Sequence, residues 1–577
     1  MSIFGEANTN TIETMQRLIE CVPNISEGRR DDVIQAIAAT VETVEGVRLL
    51  DVDPGRSTNR TVITFVGPPE TVGEAAFRLI QKASELIDMS VHRGEHPRMG
   101  ATDVCPFVPV SGVTMEDCIE VARALGKRVG NELKIPGYFY ENAALTDERQ
   151  NLATCRKGQY EGLAKLATPE GAPDFGPAVW DASVKRSGAT AIGARDFLIA
   201  YNVNLNTTSA RRANAIAFDI RESGRVKREG GAGSPIVKDA RGEPVRVPGT
   251  LKAVKGIGWY IEEYGIAQLS LNLTNIQVTP VHIAFDEACK QAQTRGIRVT
   301  GSELVGLLPL RVLTDAADHY LIKQERSQGI SDAEKVKIAI KSLGLDDLAP
   351  FYPEKRVIEY IITESGTTPL LEMDLKAFAD ETASESPAPG GGSIASYTAA
   401  LGVSLATMVA NLSAHKRGWD NRWKEFSDVA VQGMNLQKQL LRLVDADTAA
   451  FNGIMEAYGM PKGTPDQVEA RLQAIQDATR HAIEVPMEVA RISLQGMELA
   501  ELMAKKGNPN SITDAGVGAM AIRTGVLGAI LNARVNVVDL DDKAFAAQVL
   551  EECDEMWNEA DGRERRILAQ VNAALKQ

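Results

Sequence analysis

The chain has 577 residues, 44% hydrophobic and 24% charged, with a formal net charge of −14. That length predicts about three or four domains of ordinary globular composition. The excess of acid argues against non-specific binding to nucleic acid or to an anionic membrane, though not against a small anionic substrate, which needs only a local basic pocket. The cysteines (Cys21, Cys105, Cys118, Cys155, Cys289 and Cys553) form no CxxC pair and no Cys/His cluster at zinc-ligand spacing. Neither a metal site nor a disulfide framework is therefore expected, and a reducing cytoplasm is the expected compartment. The opening 16 residues are polar, with no apolar signal core.

From residue 47 the front half mixes β-branched runs with helical periodicity. VRLLDVD (47–53), RTVITFVG (60–67), TDVCPFVPV (102–110) and FLIAYNVNL (197–205) predict strands. Residues 70–87 and 114–133 predict amphipathic helices between them, which gives a layered α/β or α+β architecture. The pattern restarts near Phe197, so two subdomains are expected, 1–196 and 197–361. Residues 227–249, rich in Gly, Pro and charge, predict a surface excursion. ITESGTTPL (362–370) predicts a linker, and after it the strand signals vanish in favour of long runs rich in Ala, Met, Leu and Gln. Residues 371–577 are expected to be an all-α helical domain that folds alone. Within it Ser393 to Ala414 carries no charge and is long enough to span a bilayer. Its Ser, Thr, Gly, Ala and Asn content instead predicts a buried helix of a bundle, and no membrane partner.

Three front segments carry candidate chemistry. In GEHPRMGATDVCPFVPV (94–110), His96 precedes a strand; a histidine there suits a general base, or a loop residue bonded to the backbone. In DVDPGRSTNRTVITFVG (51–67), Asp53 ends a strand before a Pro-Gly turn, placed to orient an imidazole or a substrate ammonium, or to cap its own loop. CVPNISEGRR (21–30) is a strand end suited to ligand contacts. In order, ECVPNISEG, LLDVDPGRSTNRTVITFVG and GEHPRMGATDVCPFVPV resemble the signature of the formiminotransferase family, and APDFGP (172–177), FLIAYNVNL and IGWYIEEYGIAQLSLNLTN (257–275) continue the match. The resemblance covers roughly residues 17–361. It implies two ferredoxin-like α/β subdomains with a folate-lined cleft, His96 as general base and Asp53 as its assistant. It also implies folate or substrate contacts from Asn24, Arg60 and Arg98, and from a folate loop over Gly176, Pro177, Lys185 and Gly188. That loop and the 227–249 insertion both depart from the family's usual lengths.

In the back half, LLRLVDADTAAFNGIM (440–455) places Leu440, Leu443, Val444, Phe451 and Ile454 at helical spacing, with Asp447 on the same face and Asp445 to its side. A carboxylate on a buried stripe is paired, protonated or functional, and burial favours its neutral, acid form. SPAPGGGSIAS (386–396) opens a core helix, with Gly391 in its glycine run allowing close approach and Ser393 available as a cap; it lacks the Gly-Lys-Ser/Thr ending of a nucleotide loop. Residues 510–536 place Gly525, Gly528, Asn532 and Asn536 on one stripe. PAPGGGS, LVDADTAAF and NPNSITDAGVGAMAIRTGVLGA resemble the cyclodeaminase and methenyl-tetrahydrofolate cyclohydrolase family over about 371–577. The resemblance implies Asp447 as proton donor and ligand contacts at Gly391, Ser393 and Asn532. For the whole chain it implies tetrahydrofolate, polyglutamylated, as co-substrate, glutamate or N-formimidoyl-L-glutamate as its partner, and dimers assembling into a ring-like octamer. Two alternatives stay open: a formyltransferase fused to a cyclohydrolase, and a non-catalytic folate-binding scaffold.

Overall fold

The computed structural model describes residues 17–56, 58–94, 97–230, 233–363 and 370–576. Glu95 and His96, and most of the expected linker, lie outside the described residues. The chain divides into two compact units, Met1–Val312 with Leu343–Glu364, and Leu313–Ser342 with Ser365–Gln577.

The first unit opens with β1 (Leu18–Cys21) and β2 (Asn24–Ile25), which run as one interrupted strand between β4 (Arg60–Gly67) and β5 (Thr102–Ser111). β3 (Arg48–Gly55) pairs outside β4; beyond β5 come β7 (Thr190–Ala194) and β6 (Gly137–Glu141), both parallel. Alternation sorts the side chains. Ile19, Cys21, Ile63, Phe65, Cys105 and Phe107 face a core closed by α1 (Asp31–Ala38), α2 (Pro69–Leu86) and α3 (Met115–Arg128). α3 begins in a Thr114/Asp117 capping box, as the sequence TMED allows. The even-numbered positions of these strands face the other way.

A second sheet of β8 (Ile199–Leu205), β9 (Val254–Ile261), β10 (Ile266–Leu273) and β11 (Val299–Val305) is wholly antiparallel, ordered β9-β10-β8-β11. Its helices are α4 (Ala210–Ile220) and α5 (Val281–Gln293). Counting strands from the start of each half, both sheets share the order second-third-first-fourth, the repetition that the restart near Phe197 implies. The 227–249 segment is an exposed excursion closed by a short ribbon pairing Arg225–Val226 with Arg246–Val247.

The second unit is helical: α6 (Gly391–Ala414), α7 (Trp423–Gly459), α8 (Pro465–Lys506), α9 (Ile512–Val537) and α10 (Lys543–Ala574). α6, the uncharged helix, lies in the core of the bundle with Ala399, Val403, Ala406 and Ala410 fully buried. It crosses α9 closely because both present small residues: a Cβ on Gly402 would come within 2.6 Å of the Gly518 carbonyl, and one on Gly525 within 2.5 Å of the Ala399 methyl.

Residues 313–342, read from the sequence as part of the α/β half, pack within the helical unit. The Asn411 amide donates to the Gly329 carbonyl at 2.7 Å, the Gln328 N–H to the Ser427 hydroxyl at 3.0 Å, and Lys438 pairs with Asp332 at 2.7 Å. A fragment starting at residue 371 lacks these contacts. It is expected to melt about 2–8 °C below a fragment starting at 313, the shift that a loss of about 1–2 kcal/mol produces at this size. Thermal unfolding of the two fragments by circular dichroism checks this; equal midpoints would show that 313–342 adds nothing.

Candidate active sites

In the first unit the strand faces turned away from the helices floor a cavity of about 1160 Å³. Register lays the floor out in rows. Asp51, Thr64, Val22 and Pro106 lie side by side across β3, β4, the β1–β2 connection and β5, and Asp53, Val62, Asn24 and Val104 form the next row. Arg60 closes the β4 end, Tyr140 contributes from β6, and Ala200, Lys255, Thr274 and Asn275 line the wall from the second half.

The floor's charge is organised around Asp103, 1% exposed. Its carboxylate accepts from the Met99 N–H at 2.8 Å, bonds Arg156, and has the Arg60 guanidinium 3.9 Å away. The Asn24 amide oxygen accepts from Arg60 Nε at 2.9 Å. Burial, partly offset by Asp103, lowers the Arg60 guanidinium to about 10, which leaves it cationic at neutral pH. Two guanidiniums sharing one carboxylate leave a net positive charge facing the cavity, which suits a ligand carboxylate. Asp53 is exposed on β3 beside Asp51; burial first, then the Asp53 charge, raises the Asp51 carboxyl.

Of the residues the sequence singles out, Asn24, Asp53 and Arg60 meet at this cavity; Arg98, Gly176, Pro177, Lys185 and Gly188 do not line it. Arg98 is held bidentately by Glu161 and lies over the Tyr160 ring. Lys185 is exposed on a short helix capped by Asp181, while Gly188, at φ +70, lies against the Met99–Gly100 backbone where a Cβ would collide. Asp103 and Arg156 were not among the expected site residues. Asp103 stands inside a quoted motif as an alternating strand position, but nothing in CRKGQYEG (155–162) marks Arg156.

Asn59 ties together the chain segments near the start of β4. Its carbonyl meets His92 Nε2 at 3.0 Å, its amide donates to the Arg93 carbonyl at 2.9 Å, and its side-chain oxygen accepts from the Gly28 N–H at 3.1 Å. Asn59 of the second motif is thus bonded to Gly28, the last residue of the first, and to His92 and Arg93, which directly precede the third.

In the helical unit Asp447 faces the start of α6. Its Oδ2 accepts the Ser393 N–H at 2.9 Å and the Ser393 hydroxyl at 3.2 Å, and that hydroxyl also reaches the Val444 carbonyl at 2.8 Å. Ser393 is therefore a third-position residue of α6 bonded to the neighbouring helix, and the N-cap is Gly390. A Cβ on Gly392 would run into the Asp447 carboxylate, so any side chain there would displace it. A Cβ on Gly391 would come within 3.1 Å of the Asn532 amide, which places Asn532 at the same mouth. Asn536 turns instead to the Ala482 carbonyl of α8.

Burial raises the Asp447 carboxyl, and the two Ser393 bonds pull it partly back. Leu440 and Val444 are fully buried as the periodicity requires, but Phe451 is 44% exposed, so the apolar face does not continue as a covered stripe past Asp447. Asp445 is not simply side-facing: it accepts the Leu370 N–H at 3.2 Å, and burial raises it too. Because the Asp447 carboxyl is raised, its ionisation costs stability as pH climbs past the unfolded value, and the cost is complete above the folded value. Asp447→Asn is thus expected to raise the melting temperature at pH 7, with a gain that shrinks toward pH 4.5. Melting curves across that range decide it; a variant less stable at pH 7 would show the Ser393 bonds outweigh burial.

Both units match families of known proteins. "Formiminotransferase domain, N-terminal subdomain" matches residues 18–195, "Formiminotransferase domain" matches 200–363, and "Formiminotransferase-cyclodeaminase" matches 374–555. The formimidoyltransferase-cyclodeaminase of Mus musculus is 43% identical over 97% of this chain and 99% of its own length. The glutamate formimidoyltransferase of Streptococcus pyogenes serotype M1 is 42% identical over 53% of this chain and 94% of its own. The methenyltetrahydrofolate cyclohydrolase of Methylorubrum extorquens is 36% identical over 34% of this chain and 96% of its own. Covered from end to end by relatives of this kind, and carrying the motifs of both halves in order, the chain belongs to the formimidoyltransferase-cyclodeaminase family.

Proposed function

We propose that the first unit moves a formimidoyl group between N-formimidoyl-L-glutamate and tetrahydrofolate. The helical unit then closes 5-formimidoyl-tetrahydrofolate to 5,10-methenyl-tetrahydrofolate and releases ammonia. The observation that carries the first half is the Arg60–Asp103–Arg156 group on the cavity floor, a desolvated cationic pair suited to one of glutamate's carboxylates. In transfer, a nitrogen attacks the amidine carbon and the tetrahedral adduct expels the other nitrogen. His96, by its EHPR context, takes the proton from the attacking amine, with Asp53 assisting. For the second half, the folate N10 attacks the formimidoyl carbon, and the departing nitrogen leaves as ammonia only after protonation. Asp447, with its neutral form favoured by burial and fixed in place by Ser393, is the acid.

The shared second-third-first-fourth strand order supports a ferredoxin-like fold for both halves of the first unit. Self-association of the helical unit is supported by exposed apolar side chains on two core helices, Leu401, Met408 and Leu412 on α6 and Val517, Met520, Leu531 and Val535 on α9. The relative named as a cyclohydrolase favours one second reading, water in place of ammonia chemistry in the helical unit. Ammonia release from 5-formimidoyl-tetrahydrofolate separates the two.

Three outcomes are expected of the purified protein. His96→Ala loses about 10²–10⁴ in transfer rate and keeps methenyl formation, while Asp447→Asn does the reverse; a folded variant that loses both activities equally would contradict two independent sites. Arg156→Lys, which retains charge but not the paired donors, is expected to raise the KM for the glutamate substrate about tenfold with kcat little changed. Steady-state kinetics at varied glutamate and at varied folate locate the defect, and a KM change confined to folate would reassign the arginine pair.

A further inference from the structure

Glu20 has no part in the chemistry just described. It sits on β1 between Ile19 and Cys21 of the core, turned to the cavity floor. It is 5% exposed and, among the described residues, makes no hydrogen bond or ion pair. The other acids of the cavity differ: Asp51, Asp53, Glu141 and Glu161 are exposed, Glu161 is held by Arg98, and Asp196 accepts from Asn275 at 2.9 Å.

The elements packed on Glu20 set its charge. Its strand neighbours are Val66 on β4 and Val108 on β5, neither titratable. Arg195, following β7, favours the carboxylate; Glu359, on the helix Ile358–Thr363, opposes it; and Asp51 shares the same cavity. Burial, with Glu359 on its side, outweighs Arg195 and lifts the carboxyl to about 7. A buried carboxylate without a donor is costly, and the cost is relieved by neutralisation or by a cation that brings its own N–H groups.

Resting on the reading that this cavity takes N-formimidoyl-L-glutamate, we propose that Glu20 is a specificity determinant for a cationic one-carbon group, its carboxylate receiving the protonated amidine of the donor. An amidine is charged at neutral pH and offers N–H donors. A formyl group of the same size presents a carbonyl oxygen, which cannot satisfy the carboxylate. Both compounds carry the same two carboxylates, so contacts to those carboxylates affect them alike, and the part of the affinity ratio that Glu20→Gln removes is the part owed to Glu20.

The test uses the full-length protein, with N-formimidoyl-L-glutamate and N-formyl-L-glutamate binding in competition from pH 6 to 8. In the wild type the preference for the formimidoyl compound is expected to rise about tenfold over that range, as a carboxyl titrating near 7 passes from mostly neutral to mostly ionised. Glu20→Gln is expected to lower the preference at pH 8 by roughly ten- to a hundredfold and to remove its pH dependence, because it deletes one charge-assisted hydrogen bond. A flat wild-type ratio, or a folded Glu20→Gln variant with the wild-type ratio, overturns the proposal. Thermal unfolding of the variant against the wild type reports whether the first unit is folded; if it is not, Glu20→Asp, which keeps the carboxyl and is expected to retain the rise with pH at a lower preference, takes its place. Failure of the wild type to transfer from N-formimidoyl-L-glutamate at all would instead refute the functional reading.

Discussion

A carboxylate taken out of water must find donors, a counter-charge or a proton, and the unpaired penalty amounts to several kcal/mol. Both sites are built on this constraint, resolved three ways. Asp103 is given two guanidiniums and a backbone N–H, and it gathers two arginines at the cavity. Asp447 is given the Ser393 N–H and hydroxyl, enough to fix it but not to cancel burial. Glu20 is given no donor, and its balance is left to the ligand. In the proposed reading a carboxylate serves as anchor, acid or selector according to the donors around it.

Much of this was legible in the sequence because strands and amphipathic helices carry their own period. The runs at 60–67 and 102–110, and the helix that follows each, stand where alternation and 3.6-residue spacing put them. The rows of the cavity floor follow from the same alternation once the strand order is known, but the order is a long-range property, and without it Glu20 reads only as a polar residue beside a core strand. Arg156 was illegible for a related reason: it reaches Asp103 across 53 positions from a segment with no periodicity.

In the helical unit spacing located Asp447 but misjudged its surroundings. Periodicity gives the direction a residue faces, not what covers that direction. Phe451 points along the expected face and meets no covering element, while Ser393, expected as a cap, spends its hydroxyl on the neighbouring helix. The bland alternative, an aspartate satisfied by a helix terminus, is also part of the geometry, since Asp447 accepts an N–H from the first turn of α6. What keeps it chemically interesting is that burial wins over those bonds.

The division of β1, β4 and β5 into core-facing and cavity-facing positions has a consequence for how such a protein can change. Stability is written on one set of alternate residues and recognition on the other, so substitutions at Val22, Val62, Thr64 or Pro106 can reshape the ligand site while Ile19, Cys21, Ile63, Phe65 and Phe107 go on holding the sheet to its helices. A single inserted or deleted residue is a different matter. It would exchange the two sets, putting Glu20 into the core and a core aliphatic into the cavity, and would lose fold and function in one step. Variation in these strands should therefore run through substitution at fixed length, with changes of length confined to segments such as 227–249.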